Sequence, residues 1–427
     1  MHWLLIGYMF LFIHRPFEVW PALGDMHVER VYMLATLAAW VLYPGKRWLP
    51  NAQHAAYAFF AFAVLVCWLM SPWMERSQPM IEDYFKIVVF YVLLVTTIHD
   101  ERGLKQVVVA FLAIMAIYLT HSLREFIGGR FTYRMGISRM IGVDGSLGDP
   151  NSFGATIVFA LPFIPALWKA GVGGRFGQLV LIGYLGLSTL CILLTGSRSS
   201  LIGLVVWALL LALTSKRRWL LLALFAIAAP VCFIALPESL QTRFETIINP
   251  EVGPANAKES GEGRIQGLMM GFELWASNPL TGIGPGAWRP ATHSFIESHN
   301  LYGQLLGELG TLGAIGFIAI LACFWSNYSR VRAALRERPD WRNDLVFQVA
   351  GAVAMGVFLL LFMGNFGHNL FRYSWLWYGG FLIIARHCVD VRLAEWEAGP
   401  EEYSTTYDEY EVELPHGWIA HPGHVRG

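Results

Sequence analysis

Three side chains stand where their types and spacing can do chemistry. The first is Arg198 in TGSRSS (195–200), a turn joining two apolar stretches with almost no loop. A guanidinium at such a boundary has two readings. It snorkels to lipid headgroups, or it captures an anion such as a lipid-linked diphosphate, with Ser197, Ser199 and Ser200 as neutral donors beside it. The second is Arg264 in GEGRIQGLMMGFELWASNP (261–279). Ile265, Leu268, Met269 and Phe272 share one face at helical spacing and Trp275 continues the stripe, which predicts an amphipathic helix lying at an interface. Arg264 falls in its predicted first turn, where a cation is unfavourable unless an anion docks on the same N–H groups. Simple surface placement is the alternative. The third is His299 in ESHNLYGQLLGELGTLG (297–313). Ser298 is the expected cap of a long helix, and Gly303, Gly307 and Gly310 follow His299 at steps of 4, 4 and 3. That face has no bulk, so a second helix can approach it closely, with His299 at the mouth of the seam. A titratable group there is a functional candidate, against the alternative of a satisfied structural histidine. Glu297 and Tyr302 are candidates to orient it.

The elements that position these groups follow from composition. Apolar residues make up 55% of the 427 and charged residues 15%, too little charge for a soluble surface. The fold class is therefore all-α, a polytopic membrane helical bundle. Stretches long and apolar enough to span lie near 2–13, 28–44, 53–71, 83–99, 104–122, 149–168, 177–194, 199–215, 217–236, 298–325, 344–363 and 371–387, about 12 transmembrane helices. The first, lacking a basic start and a small-residue cleavage site, reads as a short span and not a signal peptide. Residues 1–387 form one transmembrane domain, and 388–427 an acidic, aromatic, partly disordered tail.

Basic loops set the orientation. Lys46–Arg47, Arg102 with Lys105, Lys169 with Arg175, Lys216–Arg217–Arg218 and the run Arg330 to Arg342 fall in alternate loops, which places both termini in the cytoplasm. The opposite face then carries 123–148 with Arg139, the long loop 237–297 between spans 9 and 10, and 364–370 with His368. There are 25 Arg and 6 Lys, and about half of the Arg fall on or near that outward face. Such an excess suggests an anionic ligand there, since Arg makes forked contacts that Lys cannot. For Arg243 and Arg289 the alternative is that long loops translocate whatever their charge.

Other classes are excluded or weakened. The formal net charge is zero, so no bulk attraction to nucleic acid exists. The five Cys show no CxxC or Cys/His ligand spacing. GIGPG (282–286) lacks the strand–turn–helix setting and the lysine of a nucleotide loop. No acidic cluster offers Mg²⁺ ligands, so no metal and no cofactor are expected. His416, His421 and His424 in the tail are too weak a metal tract to carry one. No internal repeat is visible, which weakens a transporter reading.

The pattern His299–Asn300, nine residues, then Gly310-x-x-Gly313 resembles the signature of the O-antigen ligase family. That superfamily includes O-antigen ligases and polymerases and protein O-oligosaccharyltransferases. GDPNSFG (148–154), TGSRSS, the Arg264 helix and NPLTGIGPG (278–286) resemble its other landmarks, in order, so the likeness covers about 145–325. The resemblance implies a transfer at the periplasmic face of the bacterial inner membrane. The donor would be an undecaprenyl-diphosphate-linked glycan, and the acceptor a hydroxyl of lipid A-core or a similar glycolipid. It maps the diphosphate-binding arginines to Arg198 and Arg264 and the catalytic histidine to His299, the expected general base of an inverting reaction. Asp149 and Asn151 match more loosely. With Asn300, Arg139, His368 and Arg372 they are candidates for acceptor or orienting roles. A polymerase, a protein-glycosylating enzyme, a lipid-glycan transporter and a scaffold are the rivals.

Overall fold

The computed structural model describes residues 1–134, 136–144, 148–249, 256–293 and 297–398, with backbone alone over 256–262. The acidic tail beyond residue 398 and parts of the 123–148 and 237–297 segments lie outside the described residues. The chain divides into compact units Met1–Val389 and Asp390–Gly427, and the site lies wholly in the first.

The helices are α1 (His2–His14), α2 (Pro16–Val19), α3 (Pro21–Asp25), α4 (Val28–Leu42), α5 (Ala52–Leu69), α6 (Met74–Thr97) and α7 (Glu101–Ile127). A hairpin, β1 (Thr132–Arg134) paired antiparallel with β2 (Ile137–Arg139), follows. Then come α8 (Pro150–Ala160), α9 (Phe163–Lys169), α10 (Gly174–Leu194), α11 (Arg198–Thr214), α12 (Arg218–Ile234), α13 (Glu238–Glu245), α14 (Asn256–Ser277) and α15 (Trp288–Thr292). The last are α16 (Leu301–Glu337), α17 (Leu345–Met363) and α18 (Ser374–Ala398). Every apolar stretch marked out above carries a helix. Among the described residues, six segments are long and apolar enough to cross a membrane: α5, α7, α8 with α9, α10, α16 and α17; α11 and α12 are apolar but shorter. The chain is a helical membrane protein.

Local chemistry sets many of the helix starts. Asn51, Asp100, Asp149, Ser197, Asn300 and Asp344 each accept a backbone N–H of the following turn, worth about 1 kcal/mol per cap. The core gathers on α18, where Trp377 is fully buried and its ring lies 4.4 Å from that of Phe90. On the outside, α12 has no buried residue at all. Its Trp219, Leu224, Ile227 and Ile234 are exposed, a surface only hydrocarbon can cover at low cost.

Four details depart from the sequence reading. The 149–168 stretch is two helices, because Pro162 removes an amide and the chain tightens at Leu161. The 123–148 segment holds the β-hairpin, a departure from an all-α chain. The Arg264 helix starts at Asn256, so Arg264 sits more than two turns along it and its first-turn dipole argument falls away. Finally, α16 is broken at Gly310, with φ 58° and ψ −156°.

Candidate functional site

The TGSRSS turn is a helix stop and restart. Gly196 takes φ +56°, open to glycine, and Ser197 then caps α11. Ser200 Oγ donates to Ser197 Oγ at 2.9 Å, so those two hydroxyls serve the turn itself; Ser199 lines the pocket described below. Arg198, the first residue of α11, donates from Nη1 to Thr246 Oγ1 at 3.1 Å. The same contact holds α13 over the turn, where Leu240 and Phe244 are buried. From α13, Arg243 donates through Nε to the Gly196 carbonyl at 2.5 Å. Arg139, buried at the end of β2, donates to the Thr195 carbonyl at 2.8 Å and to Asn151 Oδ1 at 2.9 Å.

These guanidinium groups feel one another. Burial, then the charge of Arg243, lowers Arg139 to about 9. Burial, then Arg198, lowers Arg243 to about 10. Burial and then Arg198 lower Arg264 as well. A hairpin and three helices distant in sequence thus bring Arg139, Arg243 and Arg264 each within electrostatic reach of Arg198. Concentrated like charge of this kind suits a polyanion.

His299 lies ahead of α16 and not on it. Asn300 Oδ1 is the cap, accepting the amides of Tyr302 and Gly303 at 3.0 Å each. Ser298, the expected cap, instead donates to the Asn300 carbonyl. The Leu301 amide donates to the Gly364 carbonyl at 2.6 Å, which ties this loop to the 364–373 segment. The His299 and His368 rings consequently stand 5.8 Å apart. Neither proposed orienting group reaches His299: Glu297 pairs with Arg289 at 2.8 Å, and the Tyr302 hydroxyl donates to the Leu361 carbonyl. Burial holds His299 below its ordinary 6.5; Asp149 pulls it up, while Arg264, Arg134 and Arg289 push it down. Burial, then Arg372 and His299, carry His368 to about 4. Both imidazoles are neutral near pH 7.

A small cavity of about 20 Å³ is lined by Asp149, Asn151, Ser199, His299, His368 and Arg372. Phe366 also lines it, and the Arg264 guanidinium lies 5.1 Å over the Phe366 ring. Asp149 holds the start of α8, accepting the Ser152 amide at 2.9 Å and the Asn151 amide group at 3.3 Å. Arg372 is a strut across the site, donating to Thr156 Oγ1, the Ser152 carbonyl and Asn369 Oδ1.

Backbone contact between α14 and α16 brings Arg264 toward His299. A β-carbon on Gly303 would fall 2.9 Å from Leu268 Cα and closer still to the Gly267 carbonyl. Only a glycine seam allows that approach. The expected seam therefore exists through Gly303 and Gly307, but Gly310 leaves it. Its break frees backbone groups, and the NPLTGIGPG turn takes them up. Ile283 and Gly284 donate to the carbonyls of Gly307 and Glu308 at 2.9 and 3.0 Å, and Thr311 and Leu312 donate to Pro279 and Leu280 at 2.8 and 3.1 Å. Buried backbone groups are rarely left unpaired, so break and turn form one unit.

His299, Asn300, Asp149, Asn151, His368 and Arg372 gather around the start of α16, with Arg264 over Phe366 and Arg139 bonded to Asn151; Arg198 stands farther out, bonded to Thr246 and linked by charge to Arg139 and Arg264. Arg243 joins them, although the sequence left it among translocated loop charges. Its signal was the flanking pair Leu240 and Phe244, spaced to bury one face of a short helix beside TGSRSS. Among curated proteins, none matches the chain. Residues 183–318 match the family model described as O-antigen ligase. That interval holds Arg198, Arg243, Arg264, His299 and the Gly310 break, so the part of the chain that carries much of the site is similar to the O-antigen ligase family.

Proposed function

We propose that this membrane glycosyltransferase of the ligase and polymerase type moves a glycan from undecaprenyl diphosphate to an acceptor hydroxyl of lipid A-core or a similar glycolipid. The reading places the reaction at the periplasmic face of the bacterial inner membrane, in a bundle of twelve spans with both termini cytoplasmic. The observation that supports it most is an arginine group that reaches a half-buried, neutral histidine through Arg264. Arg198 and Arg264 bind the diphosphate, with Arg139 and Arg243 adding field. Negative charge grows on the leaving oxygens as the glycosyl bond breaks, and a fixed positive field stabilises that change. On the opposite side of the anomeric carbon the acceptor oxygen forms its bond and loses its proton to His299. A positioned base of this kind contributes roughly 10²–10⁴-fold. Attack opposite the leaving group inverts the anomeric centre. A polymerase would share this donor site and differ in the acceptor.

Purified protein with the lipid-linked donor and candidate acceptors tests the assignment. His299→Ala should lower transfer by at least about 10²-fold. Arg198→Lys and Arg264→Lys should each reduce kcat/KM for the donor, because an ammonium cannot make the forked contact. Wild-type turnover in His299→Ala would end the base assignment, and wild-type rates in both Lys variants would reduce those arginines to membrane anchors. Passage of intact donor across liposomes without a transfer product would favour a transporter.

A further inference from the structure

Behind His368 and Arg372, away from the arginine group, lies a second and much larger cavity of about 540 Å³. It shares Ser152, His368 and Arg372 with the small pocket around His299. Its walls come from α1, α6, α16 and the 364–373 segment.

This wall mixes both signs of charge: Arg15, Arg76, Arg289 and Arg372 line it together with Asp83, Glu297 and Glu308. Arg15 pairs with Glu18 at 2.6 Å and reaches Asp83 at 3.4 Å, and Arg289 pairs with Glu297. Deeper in, Gln304 and Glu308 lie one turn apart on α16, 6% and 0% exposed. Gln304 Nε2 donates to Glu308 Oε2 at 3.2 Å. The Gly286 and Trp288 amides bear on the same carboxyl. Even so, Gln304 Oε1 and Glu308 Oε1 have no hydrogen-bond partner among the described residues. Buried polar atoms left unmatched cost about 1–3 kcal/mol each, so their presence on a cavity wall points to a ligand that supplies hydrogen bonds. Phe371, Tyr373 and Phe12 give the same cavity apolar ring surface.

A diphosphate fits this wall less well than the donor side, since Asp83 and Glu297 lie among its cations. A sugar fits it: its hydroxyls donate to buried oxygen acceptors and its C–H faces lie on rings. We infer that the cavity is a saccharide subsite in which Gln304 and Glu308 hydrogen-bond the hydroxyls of a sugar held against Phe371 and Tyr373. This rests on the glycosyl-transfer reading above. The sugar belongs to the acceptor or to the donor glycan, and the two sources separate by kinetics.

Initial rates should be measured with undecaprenyl-diphosphate-linked glycan as donor and lipid A-core as acceptor, each varied at saturating levels of the other. Gln304→Leu removes the open acceptor at nearly constant volume, and Glu308→Gln exchanges an acceptor for a donor. Met80→Trp, on the same wall, fills the space without touching either group. The expected result is a rise of at least about 10-fold in one KM, the same one in all three variants, with the other KM within about twofold. Sites built around hydroxyls discriminate at least this strongly. A rise in the acceptor KM assigns the sugar to the acceptor, and a rise in the donor KM to the donor glycan. Unchanged KM values in Gln304→Leu and Met80→Trp overturn the subsite and leave the transfer reading standing. If wild-type protein gives no transfer product from any acceptor, the transfer reading falls and the subsite with it.

Discussion

As the proposed base, His299 can act only when neutral, and its surroundings keep it so. Burial and three guanidiniums outweigh Asp149, so its proton is released below pH 6.5. Protonation at low pH therefore switches activity off, and the acid limb of kcat/KM should inflect below 6.5. Asp149→Asn removes the one raising charge and should move that inflection to still lower pH. Rates across pH 4–8 for both proteins check the sign, and a limb that moves upward would contradict the assigned field. The chemistry-bearing residues were legible as types at boundaries. Their partners were not. Ser298 and Asn300 are equally good caps on paper, and only the backbone geometry decides which side chain reaches Tyr302 and Gly303. Arg372, a candidate for the acceptor side, donates to Thr156, the Ser152 carbonyl and Asn369, partners that its place in the sequence did not announce.

At the scale of elements, hydropathy located the helices because lipid demands long apolar runs with every backbone group paired internally. It did not locate their breaks. The Gly310 kink is invisible to hydropathy, since Gly303, Gly307 and Gly310 look alike in a helical register. They part because Gly303 and Gly307 face α14 while Gly310 meets the 278–286 turn. Gly310→Ala puts a β-carbon at φ 58°, ψ −156°, and 2.6 Å from the Gly282 amide. That backbone region is essentially glycine-only, at a cost of order 1–3 kcal/mol. Thermal unfolding in detergent should show a clear drop for Gly310→Ala. Gly351→Ala, in open space on α17, should leave the transition in place, and equal behaviour of the two would refute the argument.

For the whole molecule, composition alone made the case for a membrane protein, and the exposed apolar residues of α12 and α14 agree with it. Orientation rests on which loops carry Lys and Arg, and it makes a separate prediction. Tyr133 on the hairpin and Asp340 after α16 are both exposed. With the five native Cys replaced, Tyr133→Cys should react with an impermeant thiol reagent on intact cells. Asp340→Cys should react only after permeabilisation. Labelling of both from outside would invalidate the twelve-span arrangement.

The stitching of the 278–286 turn to the broken helix has a mechanical result. Gly284 is tied to Glu308, and Leu301 is tied to Gly364. His299 lies two residues before Leu301, so the tie to Gly364 holds the backbone close to the imidazole. Substrate must be brought to the imidazole, since the imidazole has little slack with which to travel. Deleting Ser298 would shift the histidine while leaving Arg198 and Arg264 in place, so donor capture would outlive transfer.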